Sequence, residues 1–267
     1  MITIIFPSNV CTGNHEIILL LFTRMNLSIV IPVFEEQKKI KRDILAAAEF
    51  LTAHQLAGEI IVVDDGSRDA TAAVAGSVAT PPGAQLKVIR YQQNKGKGFA
   101  VRTGIAASQS AYVMFADSGL CVPYQNASRG LNLLQSGACE IAHASRKLRA
   151  STIVKPQSWP RRLSARWFLW LARHWMKIPP HLTDTQCGFK IYRGDVAREL
   201  YAECRTDGFI FDLEIILRAL LKGYRIREFP IEWTCDRDSR LSLTRSPARI
   251  LTEMKTIKQV LKTPAGT

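Results

Sequence analysis

The sequence predicts an α/β fold in which helices cover both faces of a mostly parallel sheet. Residues 60–63 are apolar at consecutive positions, which suits a strand buried on both faces rather than a half-exposed one. Strand-like and helix-like patterns also alternate along the first half of the chain, as they do in successive βα units. With 267 residues, 47% of them hydrophobic, the chain can bury the core of one large domain.

The elements of the first half follow from local patterns. Residues 27–34 form the first predicted strand, which is stopped by Pro32 because proline has no N–H to donate. The apolar spacing over residues 35–54 predicts a helix, and the run 59–64 is the second strand. The next predicted elements are a short helix at 70–79, a strand at 85–90, a helix at 99–108 and a strand at 111–116.

The second half carries less regular patterns. The predicted elements are a helix at 131–136, strands at 140–145 and 191–192, a helix at 209–221, a strand at 225–233 and a helix from about 246 to 261. We therefore expect one domain over residues 25–235, followed by a basic tail with a helix over residues 236–267. Residues 1–24 are expected to form an extension, disordered or touching a membrane, because their apolar run is too short to cross a bilayer.

Residues 159–177 differ from the rest of the chain because aromatic and basic side chains are interleaved along them. Trp167 and Trp170 stand near Arg166 and Arg173, which predicts an amphipathic helix. Such a helix can lie in a membrane interface with its cations toward lipid phosphates. The alternative interpretation is an ordinary helix with one side in the core and a solvated basic side.

The charge of the chain favours an acidic partner. The formal net charge of +13 suits a sugar nucleotide, a lipid phosphate, an anionic membrane surface or nucleic acid, and charge alone does not choose among them. Nucleic acid is the least favoured, because the carboxylates expected at the strand ends would repel its backbone. The six cysteines are scattered without a C-x-x-C pair, which favours reduced thiols in a cytosolic protein over a zinc site or a disulfide framework.

Polar residues follow the predicted strands where those strands end. Asp64 and Asp65 come directly after an apolar run, and Asp117 follows the fourth predicted strand. Open α/β sheets bind ligands just beyond such ends, so we expect a polar ligand such as a nucleotide there. Lys95 and Lys97 lie in a glycine-rich loop and can neutralise a pyrophosphate. The alternative for the same residues is a set of tight turns and a helix N-cap.

Five segments, taken in chain order, resemble family 2 glycosyltransferases of the GT-A fold. They are residues 31–36, 63–69 and 94–98, the strand ending in Asp117, and residues 184–190. The resemblance is to the dolichyl- or polyprenyl-phosphate sugar synthases. It implies a peripheral enzyme at the cytoplasmic, inner face of a membrane that moves a hexose, with inversion, from a UDP-glucose or GDP-mannose type donor to the lipid phosphate. A saccharide acceptor, or a non-catalytic protein that only binds the sugar nucleotide, is the alternative.

The resemblance and the strand-end positions also assign roles to residues. They imply that the nucleotide sugar is bound by Pro32, Phe34, Glu36, Asp64, Asp65, Lys95, Lys97 and Arg102. They imply that catalysis depends on Asp117, Asp184 and Gln186. Because guanidinium groups suit phosphate oxygens, the acceptor is expected to bind Arg146, Arg161, Arg162 and Arg240. An ionised lipid phosphate needs no general base, whereas a hydroxyl acceptor would need Asp184 or Glu214 to take its proton.

The resemblance implies a metal cofactor, from which this sequence departs at one position. Asp117 matches the first aspartate of the family's metal-binding Asp-x-Asp motif, which would hold Mg²⁺ or Mn²⁺ on the diphosphate. Gly119 stands at the second position, so one hard oxygen ligand is missing. Two alternatives stay open: a metal held by Asp117, water and the sugar nucleotide, or weak metal affinity with basic residues neutralising the diphosphate.

Overall fold

The computed structural model describes residues 27–156, 158–235 and 247–262. The strands in these ranges are β1 (Leu27–Val33), β2 (Gly58–Asp64), β3 (Ala84–Arg90), β4 (Tyr112–Ala116), β5 (Ile141–Ser145), β6 (Thr152–Lys155), β7 (Phe189–Arg193), β8 (Ile226–Pro230) and β9 (Glu232–Thr234). The helices are α1 (Ile40–Ala53), α2 (Thr71–Gly76), α3 (Lys97–Ala106), α4 (Ala127–Gln135), α5 (Trp159–Met176), α6 (Gly194–Glu203), α7 (Phe211–Leu221) and α8 (Pro247–Lys262). The expected extension at 1–24 and Arg240 lie outside the described residues.

The main sheet has the strand order β3-β2-β1-β4-β7-β5-β8. Strands β1 to β4 pair in parallel, as do β5 and β8, whereas β7 runs antiparallel between β4 and β5. The predicted α/β fold with a mostly parallel sheet is therefore confirmed. A second, two-stranded sheet pairs β6 with β9 in parallel.

Helices cover both faces of the main sheet because apolar side chains alternate along its strands. On β1 and β2, Ile31 and Val62 face one apolar cluster, which includes side chains of α1 and α4. Val30 and Val63 face the other, which includes side chains of α3 and α5 to α8. A strand whose two faces are both buried has to be apolar at consecutive positions, as residues 60–63 are. The helix expected in the tail is α8, and it contributes to the second cluster.

Several elements differ from the predicted ones, each for a local reason. The strand predicted at 225–233 is two strands, and the pairing of β8 with β5 ends at Pro230, which cannot donate to a ladder. Helix α1 begins five residues later than predicted, after a loop in which Glu35 has a φ of 53°. Strand β6 escaped prediction because all its side chains are exposed, so it carries no alternating pattern. Helix α6 was also missed, although the helical spacing of its buried residues could have revealed it.

Throughout residues 27–156, 158–235 and 247–262, each helix is too short or too polar to cross a bilayer.

Helix α3 packs so closely on β1 and β2 that a methyl group on Gly104 would overlap the side chains of Val30 and Val63. We predict that Gly104→Ala lowers the free energy of unfolding by about 1–3 kcal/mol, because overpacking outweighs the gain in helix propensity. Gly76→Ala is the matched control, since a methyl group there would meet nothing within 4 Å. Chemical denaturation should show a loss for the first variant and no loss for the second. Equal stability of the two variants would contradict this packing.

Candidate functional site

The loops after β1 and β2 are fastened together at the carboxyl edge of the sheet. The backbone N–H of Glu35 donates to Ser67 Oγ at 2.7 Å, and that of Glu36 donates to Thr71 Oγ1 at 2.8 Å. The serine and threonine of the second loop therefore hold the backbone of the first. This arrangement places Phe34 and Glu36, both half-buried, beside the end of β2.

Asp64 and Asp65 stabilise loops at the end of β2. Asp64 is fully buried and accepts a hydrogen bond from the Ser67 N–H at 2.9 Å. Asp65 accepts hydrogen bonds from the N–H groups of Lys95 at 2.7 Å and Gly96 at 2.9 Å, so its carboxylate fixes the glycine-rich loop. The structure thus brings together the predicted nucleotide carboxylates and the predicted phosphate-binding loop.

Close backbone approach explains the glycines of this loop. Gly96 has a φ of 106°, and a methyl group on it would overlap the carbonyl oxygen of Asp207. The same carbonyl accepts a hydrogen bond from the Gly98 N–H at 2.8 Å. Lys95 lies over the ring of Phe99, with its Nζ 4.4 Å from the ring centre. The glycine-rich loop is therefore fixed on both sides, by Asp65 and by the segment that precedes α7.

Lys97 and Asp117 form an ion pair at the centre of the edge, with Nζ and Oδ1 2.6 Å apart. Burial alone would lower the pKa of Lys97, but the carboxylates of Asp117 and Asp212 raise it above its ordinary value, so the amine stays charged. Asp117 is also in contact with Gly188, where a methyl group would overlap its carboxylate, and its N–H donates to the Gly188 carbonyl at 2.8 Å. The donor side and the acceptor side of the predicted site therefore meet at this contact.

Asp184 forms a bidentate ion pair with Arg146. The Nε and Nη2 atoms of Arg146 lie 2.6 and 2.7 Å from the Asp184 carboxylate oxygens. Burial alone would raise the pKa of Asp184, but the Arg146 guanidinium holds it well below its ordinary value. A carboxylate in this state is a weak proton acceptor. The N–H of Asp184 donates to Glu228 Oε1 at 2.8 Å, which fixes the start of the 184–190 segment. Gln186, two residues further along the chain, is half-buried.

Lys190 and Asp212 form a further buried ion pair, to which the sequence analysis assigned no role. Lys190, fully buried on β7, donates from Nζ to Asp212 Oδ1 at 2.6 Å and to the Thr185 carbonyl at 3.2 Å. Burial raises the pKa of Asp212, and Lys190 and Lys97 oppose that rise. The signal in the sequence was a lysine inside the apolar strand Phe189–Arg193.

Arg102 and Glu214, which the sequence analysis gave roles at the site, instead contact the segment that precedes α7. Arg102 donates to the Cys204 carbonyl at 2.8 Å and to Asp207 Oδ1 at 2.6 Å, so its guanidinium holds the segment before α7. Glu214 holds the same segment, because its buried carboxylate accepts from the N–H of Thr206 at 2.8 Å. Arg162 is exposed on α5, and the side chain of Arg161 lies outside the described part of the structure.

The residues around Gly119 supply few ligands for a metal ion. In the part of the chain that the structure describes, no three His, Cys, Asp or Glu side chains are grouped to hold one. The Gly119 N–H donates to Asp43 Oδ2 at 2.7 Å, so the backbone there is directed toward α1. Asp117 remains as one carboxylate, which fits Mg²⁺ or Mn²⁺ only when diphosphate oxygens and water complete the ligand set.

Asp43 was absent from the sequence analysis, and it is an ionisable group on the buried side of α1. Its side chain is almost fully buried, and burial raises its pKa from 3.8 to about 6, although the Gly119 N–H opposes the rise. A carboxylate within the apolar stripe of α1, between Ile40 and Ala47, is the signal that could have identified it.

Comparisons with known proteins agree with the resemblance. Residues 28–201 match the family described as glycosyl transferase family 2. A human dolichyl-phosphate beta-glucosyltransferase is 30% identical over 226 residues, which cover 80% of this chain and 69% of that protein. The Saccharomyces cerevisiae dolichyl-phosphate beta-glucosyltransferase is 27% identical over 221 residues, which cover 78% of this chain and 66% of that protein. The matches thus span about two thirds of these relatives.

Solved structures share the fold. Glucosyl-3-phosphoglycerate synthase from Mycobacterium tuberculosis, crystallised with Mg²⁺ and uridine diphosphate, has a TM-score of 0.62 and 15% identity, covering 97% of this chain and 86% of that one. The same enzyme with Mn²⁺, UDP-glucose and phosphoglyceric acid also has a TM-score of 0.62 and 15% identity, and the likeness covers 97% of this chain and 87% of that one. At this identity the likeness shows the fold alone, and it confirms the expected GT-A architecture.

The raised pKa of Asp43 predicts a pH-dependent stability. The folded state holds the proton of Asp43 more tightly than the unfolded state, so this group favours folding at low pH and the contribution is lost as pH rises through about 6. Asp43→Asn should therefore raise the free energy of unfolding by up to about 3 kcal/mol at about pH 8 and by much less at about pH 4. Urea denaturation of both proteins across this range measures the difference. A difference independent of pH would show that Asp43 is not desolvated.

Proposed function

The chain belongs to glycosyl transferase family 2, and we propose that it transfers a hexose from a nucleotide sugar to a polyprenyl phosphate of the dolichyl phosphate type, with inversion at the sugar. The observation that carries the proposal is that Asp117, paired with Lys97, contacts Gly188, which joins the loop predicted to bind the donor to the segment predicted to bind the acceptor. The relatives named above act, by their names, on dolichyl phosphate, and this supports the lipid acceptor.

The donor would bind across the ends of β1 and β2. Phe34 and Glu36, which are half-buried, would line the base and ribose pocket together with Asp65, whose carboxylate can accept hydrogen bonds from base N–H groups and ribose hydroxyls. Pro32 and Asp64 are buried and would support this pocket from behind. Lys95 and Lys97 would supply positive charge for the diphosphate, whereas Arg102, predicted for the same role, is paired with Asp207. The glucosyl names of the relatives favour a UDP-glucose donor over a GDP-mannose one.

The acceptor phosphate would approach from the side of Asp184 and Gln186. It carries its own negative charge, so the weak basicity of Asp184 is no obstacle to transfer. We assign Arg146 to the acceptor phosphate, with Arg161, Arg162 and Arg240 as further cations for the lipid phosphate or the membrane surface. Asp117, Asp184 and Asp212 are each paired with a cation, so none is positioned as a free covalent nucleophile. Direct displacement by the lipid phosphate, and hence inversion, is the chemistry that fits.

A divalent metal would be held by Asp117 together with the diphosphate oxygens. When bound, Mg²⁺ or Mn²⁺ neutralises charge on the departing nucleotide diphosphate. Lys97 lies at the same carboxylate and would share this neutralisation.

A lipid acceptor requires contact with a membrane, and α5 supports one. Phe168, Ala172 and Met176 face the core, whereas Trp167 and Trp170 are 41% and 56% exposed. The exposed Arg162 and Arg166 lie on the same helix. Exposed indoles between arginines suit the headgroup region of an anionic bilayer. We propose that this peripheral contact lies at the cytoplasmic, inner face of a membrane.

Removing the charge of Asp117 tests the reaction. We predict that Asp117→Asn lowers transfer of labelled hexose to polyprenyl phosphate by at least about 100-fold, because Lys97 and any metal lose their carboxylate. The assay uses UDP- and GDP-hexoses with Mg²⁺, Mn²⁺ or a chelator. Asp195→Asn, at a carboxylate 62% exposed on α6, is the control and should keep full activity. A wild-type protein that binds nucleotide but labels only a saccharide, or nothing, would favour the saccharide-acceptor or the non-catalytic alternative.

Binding to vesicles tests the membrane contact. Replacing both Trp167 and Trp170 by serine should weaken binding to vesicles containing anionic phospholipid by at least about tenfold, since burying one aromatic side chain contributes roughly 1.5–3 kcal/mol. Leu221→Ser, at a leucine 71% exposed on α7, is the control. Sedimentation with vesicles measures the binding. If the double variant binds as wild type does, α5 is not the membrane contact.

A further inference from the structure

We propose that Asp43, with Arg42, is a positioning residue for the sugar transfer, because the two side chains clamp the turn that carries Asp117. The inference rests on the proposed function and adds to it a pair of residues on α1, which belongs to the opposite face of the sheet from Lys97. Neither residue is among those predicted from the sequence to bind a ligand. Their effect would pass through the backbone of Gly119.

Asp43 and Arg42 bind both backbone polar groups of Gly119, its N–H and its carbonyl. Asp43 Oδ2 accepts the Gly119 N–H at 2.7 Å, and Arg42 Nη2 donates to the Gly119 carbonyl at 3.2 Å. Gly119 lies two residues beyond Asp117 in the chain. On its other side, Asp117 is held by its N–H bond to Gly188 at 2.8 Å and by Lys97 at 2.6 Å. The position of the Asp117 carboxylate is thus determined from both faces of the sheet.

The turn needs such support because its backbone is in an unfavourable conformation. Gly119 has a φ of 93° and Leu120 a φ of 49°. Glycine adopts such angles readily, whereas a leucine in the left-handed region costs free energy unless neighbouring contacts hold it. The two hydrogen bonds from α1 are contacts of this kind. Without them the 117–120 turn can relax and move the Asp117 carboxylate away from Lys97.

Burying the carboxylate of Asp43 costs free energy that a side chain with only a space-filling role would not cost. Its carboxylate lies on the buried face of α1, and its Oδ1 has no hydrogen-bond partner among the residues that the structure describes. An apolar side chain could fill this position without that desolvation penalty. The carboxylate supplies one hydrogen-bond acceptor for the Gly119 N–H. Gly119 stands at the position where the family's Asp-x-Asp motif has its second aspartate. The geometry therefore gives Asp43 a role in fixing the turn.

The test compares Asp43→Ala, which removes the acceptor, with Asp43→Asn, which keeps an oxygen in the same place. We expect Asp43→Ala to lower kcat for hexose transfer by about 10- to 100-fold with little change in the donor KM, because a small misplacement of a reacting group is costly. Asp43→Asn should restore kcat to within about threefold of wild type, since the amide oxygen can accept the same bond. Arg42→Ala should cause a smaller loss in kcat, and Lys41→Ala, at the exposed neighbour, should cause none.

Hydrogen exchange supplies a readout that does not depend on the acceptor. The Gly119 amide should exchange faster with deuterium in Asp43→Ala than in wild type and Asp43→Asn, while thermal unfolding confirms that all variants are folded. Wild-type kcat in folded Asp43→Ala, or an equal loss in both Asp43 variants, would overturn the proposal. If the wild type fails to label any lipid phosphate, the proposed function fails instead. The clamp is then tested by donor hydrolysis and by deuterium exchange of the Gly119 amide. If Asp43→Ala changes neither, the clamp proposal is overturned.

Discussion

The arrangement of the site depends on the charge pairing at the carboxyl edge of the sheet, above all on Lys97 with Asp117. Lys97 begins α3 and Asp117 follows β4, so their contact fixes a helix start against a strand end. Asp212 and Lys190 form the next pair inward, and the charge of Asp212 also acts on Lys97. Buried pairs of this kind contribute little net stability, yet removing one partner costs about 3–5 kcal/mol. The buried ion pairs therefore favour one arrangement of the loops over others, although they add little to the free energy of unfolding.

This pairing also shapes the chemistry that the site can perform. Cations on the donor side can neutralise a diphosphate, whereas the carboxylates at the edge are already engaged with Lys97, Arg146 and Lys190. A site of this kind suits an acceptor that brings its own negative charge, and it suits poorly an acceptor whose proton has to be removed. The bidentate pairing of Asp184 with Arg146 is the plainest sign of this preference. The family assignment, the fold and the electrostatics thus lead to the same class of reaction.

The sequence predicted those features that depend on local patterns. The apolar run before Asp64 predicted a buried strand, and the strand ends predicted where Asp64, Asp65 and Asp117 would gather. Strand direction has no such local signal, because alternation along a strand is the same in both orientations. The antiparallel placement of β7 was therefore not predicted.

The partner of each buried charged residue could not be predicted either, because it depends on which helices and strands become neighbours. Lys190 and Asp212 are 22 positions apart, and Asp43 and Gly119 are 76 apart. The sequence could show that Lys190 lies in an apolar strand and that Asp43 lies in an apolar stripe. Only the packing of the helices on the sheet shows which charge or N–H group each one meets.

The most direct test of the central claim is the anomeric configuration of the lipid product. Polyprenyl phosphate and an α-configured nucleotide hexose would be incubated with the protein, and the coupling constant of the anomeric proton in the purified product would be measured by NMR. Direct displacement, at a site where Asp117, Asp184 and Asp212 are each paired with a cation, predicts a β-linked glycosyl phosphate. An α-linked product would contradict the account, because direct displacement by the lipid phosphate inverts the anomeric carbon of an α-configured donor.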